Sequence, residues 1–90
     1  MPSREVAIAS ASGLHARPAN LFVTDVASLG NPVTIAKQGG RAVDARSMLG
    51  VMTLGAKHGE VVTMTAEGEG AEAALDHLVA FLSVDHDASA

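Results

Sequence analysis

At 90 residues the chain is the size of one domain with one modest core, built from Val, Leu, Ile, Ala and Met because Phe22 and Phe81 are its only aromatic residues. The absence of cysteine excludes disulfides and thiolate metal sites and suits a reducing cytosol. A formal net charge of −4, with six scattered basic residues, argues against nucleic acid as a partner, since that needs a clustered cationic face.

The sequence passes from Met1-Pro2-Ser3-Arg4 directly into strand alternation, so no signal peptide is expected. Val6 and Ile8 alternate with Glu5, Ala7 and Ala9, the pattern of a strand with one buried face. Ser10 to Leu14 reads as a loop delivering His15 to a helix. In that helix Ala19, Phe22, Val23 and Val26 recur at i, i+3, i+4 and i+7, and Gly30 is a natural stop before Asn31-Pro32. Val33 and Ile35 alternate in a second strand, and Gly39-Gly40 signals a hairpin to a third strand around Ala42 to Asp44. Ser47 caps a short helix closed by Gly55. A fourth strand places Val62, Met64 and Ala66 on one face and Thr63 and Thr65 on the other. Gly68 to Gly70 turns into a last helix with the stripe Leu75, Leu78, Val79 and Leu82. The longest apolar stretch, Ala71 to Leu82, is interrupted by Glu72, Asp76 and His77, so no membrane insertion is expected. The expected domain covers residues 1–84, and residues 85–90, lacking any stripe, are expected to fray. The order β-α-β-β-α-β-α predicts a two-layer α/β sandwich, with helices on one side of an antiparallel sheet.

The chemistry concentrates at Gly13-Leu14-His15-Ala16-Arg17-Pro18-Ala19. Pro18 suits a first helical turn, so His15 and Arg17 are expected where free N–H groups and the positive end of the helix dipole converge, a ready anion site. A histidine there is disfavoured as a cation and keeps a lone pair for attack, and a guanidinium matches phosphate. A histidine before a helix is most often a cap or a surface residue; Arg17 and Pro18 beside it favour a phosphohistidine site. His58, in a turn, His77, beside Asp76 on the last helix, and His86 read as surface residues. No pair of histidines has metal-ligand spacing, so neither metal nor cofactor is expected. In the short helix Val51 and Leu54 make a buried face, while Met48, Leu49 and Met52 point away from it. With Leu21 these are either scattered surface hydrophobes or a docking patch, and flexible Met suits several partners.

The Gly13–Ala19 segment resembles the active-site signature of the HPr family, the histidine-containing phosphocarriers of the sugar phosphotransferase system. A second block, Arg46-Ser47-Met48-Leu49-Gly50-Val51-Met52-Thr53-Leu54-Gly55, resembles that family's regulatory-serine segment, and the likeness runs from Arg4 to Ser83. The resemblance implies an open-faced sandwich with strand order 1-4-2-3. It implies a carrier rather than an enzyme, cytoplasmic and monomeric, phosphorylated on Nδ1 of His15 by enzyme I charged from phosphoenolpyruvate. The IIA domains of sugar permeases would receive the group, docking on the surface of Leu21, Arg46, Met48, Leu49 and Met52. Ser12 and Ala16 are candidate phosphate contacts, Ser12 being equally an ordinary turn serine. An ATP-dependent serine kinase, with a matching phosphorylase, acts on the residue equivalent to Ser47 in some bacteria. Many members carry lysines on the outer face of the first helix. Here Thr24, Asp25 and Ser28 stand there, leaving Arg17, Arg46 and Lys57 as local positive charges and predicting weaker steering. The alternatives are a paralogous carrier in a regulatory or non-sugar phosphotransfer chain and, from another class, a small-ligand or metal-binding module.

Overall fold

Strand alternation near the N-terminus and after Glu60 yields two neighbours in one sheet. The computed structural model describes residues 2–10, 13–14 and 16–84. Strand β1 (Ser3–Ala7) pairs antiparallel with β4 (Val61–Ala66), with Val6 opposite Val62. β4 pairs on its other side with β2 (Val33–Lys37), which pairs with β3 (Val43–Asp44), giving the antiparallel order β1-β4-β2-β3. Period-2 spacing turns Val33 and Ile35 of β2, and Val62, Met64 and Ala66 of β4, to one side, where all five are buried.

Three helices cover that side: α1 (Ala16–Leu29), α2 (Met48–Leu54) and α3 (Ala71–Leu82). Ala19, Phe22 and Val26 of α1, Val51 and Leu54 of α2, and Leu75, Leu78 and Leu82 of α3 join the strand residues in one core. Full burial of a Leu, Val or Phe side chain contributes about 1.5–3 kcal/mol, so this cluster is the main stabilising term. The two aromatic residues meet between α1 and α3, Phe22 and Phe81 having ring centroids 6.1 Å apart and tilted by 44°. Gly30 and Gly55 follow α1 and α2 at positive φ, as the stop signals predict.

Three expectations need correction. β3 excludes Ala42 and makes only two residue pairs with β2, because residues 38–42 are spent on the connection. Met48 does not point away from the core: it is half-buried and packs against it, since it lies three residues before Val51 and four before Met52, between their two faces. Asp25 is half-buried rather than on an outer face, and its Oδ2 lies 2.7 Å from Nε2 of His77 on α3. The segment expected to fray, residues 85–90, lies outside the described residues.

Candidate functional site

Leu14 and Gly13 fix the chain just before α1. The Leu14 side chain is buried in the core, and its N–H donates to the Ala56 carbonyl at 2.8 Å. Gly13 has φ +75°, and a Cβ built there would stand 2.4 Å from the Ala56 oxygen and 2.8 Å from Cα of Lys57. Only glycine permits both this backbone conformation and this approach. The Gly13 N–H donates to the Ser10 carbonyl at 2.9 Å. His15 and Ser12 lie outside the described residues, as does the side chain of Ala16.

Arg17 is exposed in the first turn of α1, while Pro18 is buried beside it. Arg4, Lys37 and Arg46 pair with carboxylates, whereas Arg17, Arg41 and Lys57 have no carboxylate partner among the described residues. Lys57 follows Ala56, so its backbone adjoins Gly13 and Leu14.

On α1 Leu21 is exposed, and α2, which packs against α1, exposes Leu49 and Met52. Leu49 is 75% exposed; Met48, by contrast, straddles core and surface. Arg46 immediately precedes the N-cap of α2. It pairs with Asp44 through Nε at 3.4 Å and lines an open cavity of about 240 Å³ with Thr34, Thr65 and Glu67, at the end of the sheet where β2 begins and β4 finishes. The Arg46 backbone N–H donates to Oδ1 of Asp44 at 2.9 Å. This bond is the main cause holding the Asp44 carboxyl below its ordinary value; slight desolvation opposes it, and the Arg46 side chain adds to it.

Ser47 is the N-cap of α2, its Oγ accepting the Gly50 N–H at 3.1 Å, as the sequence predicts. No group of three or more His, Cys, Asp or Glu able to hold a metal occurs among the described residues. No described helix is long and apolar enough to cross a membrane. Asp25–His77 and Lys57–Glu60 are among the polar contacts that the sequence reading missed. Asp25–His77 joins residues far apart in the chain, which no local pattern reveals. Glu60 accepts the Lys57 N–H through Oε1 at 2.7 Å, and here the i, i+3 spacing familiar from capping boxes was a usable signal.

The family model describing the phosphorylation site of the PTS HPr component matches residues 2–83. The phosphocarrier protein HPr of Streptomyces coelicolor is 51% identical over 78 residues, covering 87% of this chain and 84% of that protein. The crystal structure of HPr from Bacillus anthracis superposes with a TM-score of 0.85 at 37% identity, covering 90% of this chain and 95% of that one. Bacillus subtilis Crh, a catabolite repression protein solved as a domain-swapped, intertwined dimer, gives a TM-score of 0.66 at 34% identity over 94% of this chain and 97% of its own. With this sheet order, and with sequence matches spanning nearly its whole length, the chain belongs to the HPr family, phosphocarriers rather than enzymes and components of the phosphotransferase system.

Proposed function

We propose that the chain accepts a phosphoryl group on His15 from enzyme I charged by phosphoenolpyruvate and passes it to IIA domains of sugar permeases. The imidazole Nδ1 lone pair attacks phosphorus, the N–P bond forming as the donor's bond to phosphorus breaks; the second transfer reverses the roles. Arg17 meets the charge on the equatorial phosphoryl oxygens, and Ser12 and the Ala16 backbone are further candidate contacts. The observation that carries this reading is Arg17 itself: exposed in the first turn of α1 and without a carboxylate partner among the described residues, in a chain that the phosphorylation-site model matches from residue 2 to residue 83. Leu21, Arg46, Met48, Leu49 and Met52 form the docking surface used in turn by donor and acceptor, with Met48 partly packed on the core. Ser47 is the site at which a serine kinase and phosphorylase would regulate docking. The carrier works in the cytoplasm as a monomer, and sedimentation that returned a dimer would instead favour the swapped arrangement seen in Crh.

The test is incubation with enzyme I and phosphoenolpyruvate. One phosphoryl group should be added, labile in acid and stable in alkali, and His15→Ala should abolish it. Label that persists in that variant, or maps to His58 or His77, refutes the assignment.

A further inference from the structure

We propose that the turn of residues 57–60 is a clamp that positions the phosphoryl-acceptor loop, with His58 and Glu60 as its positioning residues; this rests on the reading of His15 as the acceptor. The turn is closed twice. The Glu60 N–H donates to the Lys57 carbonyl at 3.0 Å, and the Lys57 N–H donates to Oε1 of Glu60 at 2.7 Å. The other carboxylate oxygen, Oε2, lies 3.8 Å from Nζ of Lys37 on β2, which ties the turn to the sheet.

From this braced turn and the residue before it, bonds reach the loop at successive points. Ile8 donates to the Glu60 carbonyl at 3.0 Å and accepts from the Gly59 N–H at 2.8 Å. Nδ1 of His58 lies 3.3 Å from the Ser10 carbonyl, which also accepts the Gly13 N–H. The Ala56 carbonyl accepts the Leu14 N–H at 2.8 Å, an approach that the absent Cβ of Gly13 makes possible. Residues 8, 10 and 14 are therefore held by 60, 59, 58 and 56 in order, and the next residue in the chain is His15.

Two of these contacts come from side chains, and they have separable chemistry. His58 must donate, which requires the proton on Nδ1; Glu60 must accept. An acceptor nitrogen has to meet phosphorus in line, and a misplacement of about 1 Å can cost on the order of a hundredfold in rate. His58 is exposed and Glu60 half-buried, so losing either contact affects placement of the loop more than stability of the core.

The experiment measures single-turnover phosphorylation at saturating enzyme I, together with melting temperature and exchange of the Leu14 amide, for full-length His58→Ala, His58→Asn, Glu60→Ala and Glu60→Gln. Both alanine variants should slow transfer by about three- to tenfold, with a near-unchanged melting temperature and faster Leu14 exchange. Asn, whose amide can donate where Nδ1 does, and Gln, whose oxygen can accept, should restore most of the rate. Wild-type rates in both alanine variants, with His15→Ala unlabelled, overturn the clamp alone. Equal slowing by His58→Ala and His58→Asn also overturns it, since the ring would not then be acting as a donor. Label retained by His15→Ala overturns the acceptor reading and the clamp with it.

Discussion

Arg17 and Asp44 are both exposed charged groups, and their surroundings give them different roles. Arg17 has no carboxylate to answer among the described residues, as its proposed contact with a phosphoryl group requires. A hydrogen bond involving a charged group contributes about 1.5–3 kcal/mol, and about 1.4 kcal/mol corresponds to a tenfold change in rate. Arg17→Ala should therefore slow phosphorylation of His15 by about ten- to a hundredfold while leaving the melting temperature unchanged. Lysine should rescue only partly, lacking the planar fork; unchanged rates in both variants would remove the role. Asp44 is instead engaged by the Arg46 backbone and side chain, which keep it ionised to lower pH than in the unfolded chain. A depressed carboxyl adds stability above its unfolded value, ordinarily 3.8, and that stability is lost as pH falls through the folded value. Because the side chain is half exposed, the effect is small. Melting curves below pH 4 should fall less steeply for Asp44→Asn than for the wild type, and parallel curves would show that the bonds contribute nothing.

Among the elements, those with a sustained apolar period were legible from sequence. Phe22 and Val26 in α1, Val62, Met64 and Ala66 in β4, and Leu75, Leu78 and Leu82 in α3 are buried where their spacing places them. Strand order was legible only through the family resemblance, because alternation sets the face of a strand and not its neighbour. In the candidate site, Arg17's exposure and Ser47's cap followed from helix-terminus signals, whereas the links from Ala56, His58 and Glu60 to the loop are tertiary and leave no local trace beyond one i, i+3 spacing. Short α2 shows the limit of period-based reasoning: in seven residues a shift of one position decides whether a side chain is core or surface. Met48 and Leu49 test this directly. Met48→Asp should destabilise the fold by about 1–3 kcal/mol, because a carboxylate would replace a side chain packed on the core. Leu49→Asp should leave stability within about 0.5 kcal/mol and weaken binding of enzyme I and IIA domains. Equal loss of stability in the two variants would mean that both lie on one face.

Across the whole molecule, Ser47 and Leu14, the residue before His15, sit at different ends of α2. The Ala45 N–H donates to the carbonyl of Val33, where β2 begins, while Ala56 holds Leu14 near the start of β4. Between them runs α2, whose seven residues at 1.5 Å rise span about 10 Å. That is roughly one Debye length at physiological salt, so charge added at Ser47 acts weakly through solvent on chemistry at the loop. The cap geometry also tolerates the modification, since phosphate at a helix N-terminus is electrostatically favourable. On the proposed reading, the consequence of phosphorylating Ser47 falls on docking. Phosphorylation adds about −1.5 to −2 charge to a chain of net charge −4, next to the margin of the Leu49 and Met52 patch. Facing an acidic partner, such a charge costs on the order of a kcal/mol or more, equivalent to about tenfold in affinity. Ser47→Asp should therefore raise the KM for enzyme I by at least about fivefold, with the penalty shrinking in high salt, whereas Ser47→Ala should stay near wild type. Spontaneous hydrolysis of the phosphorylated protein, which needs no partner, should be the same in both variants. A change in hydrolysis rate would place the effect of Ser47 on the acceptor itself, and equal KM values in two folded variants would remove Ser47 as a regulatory site.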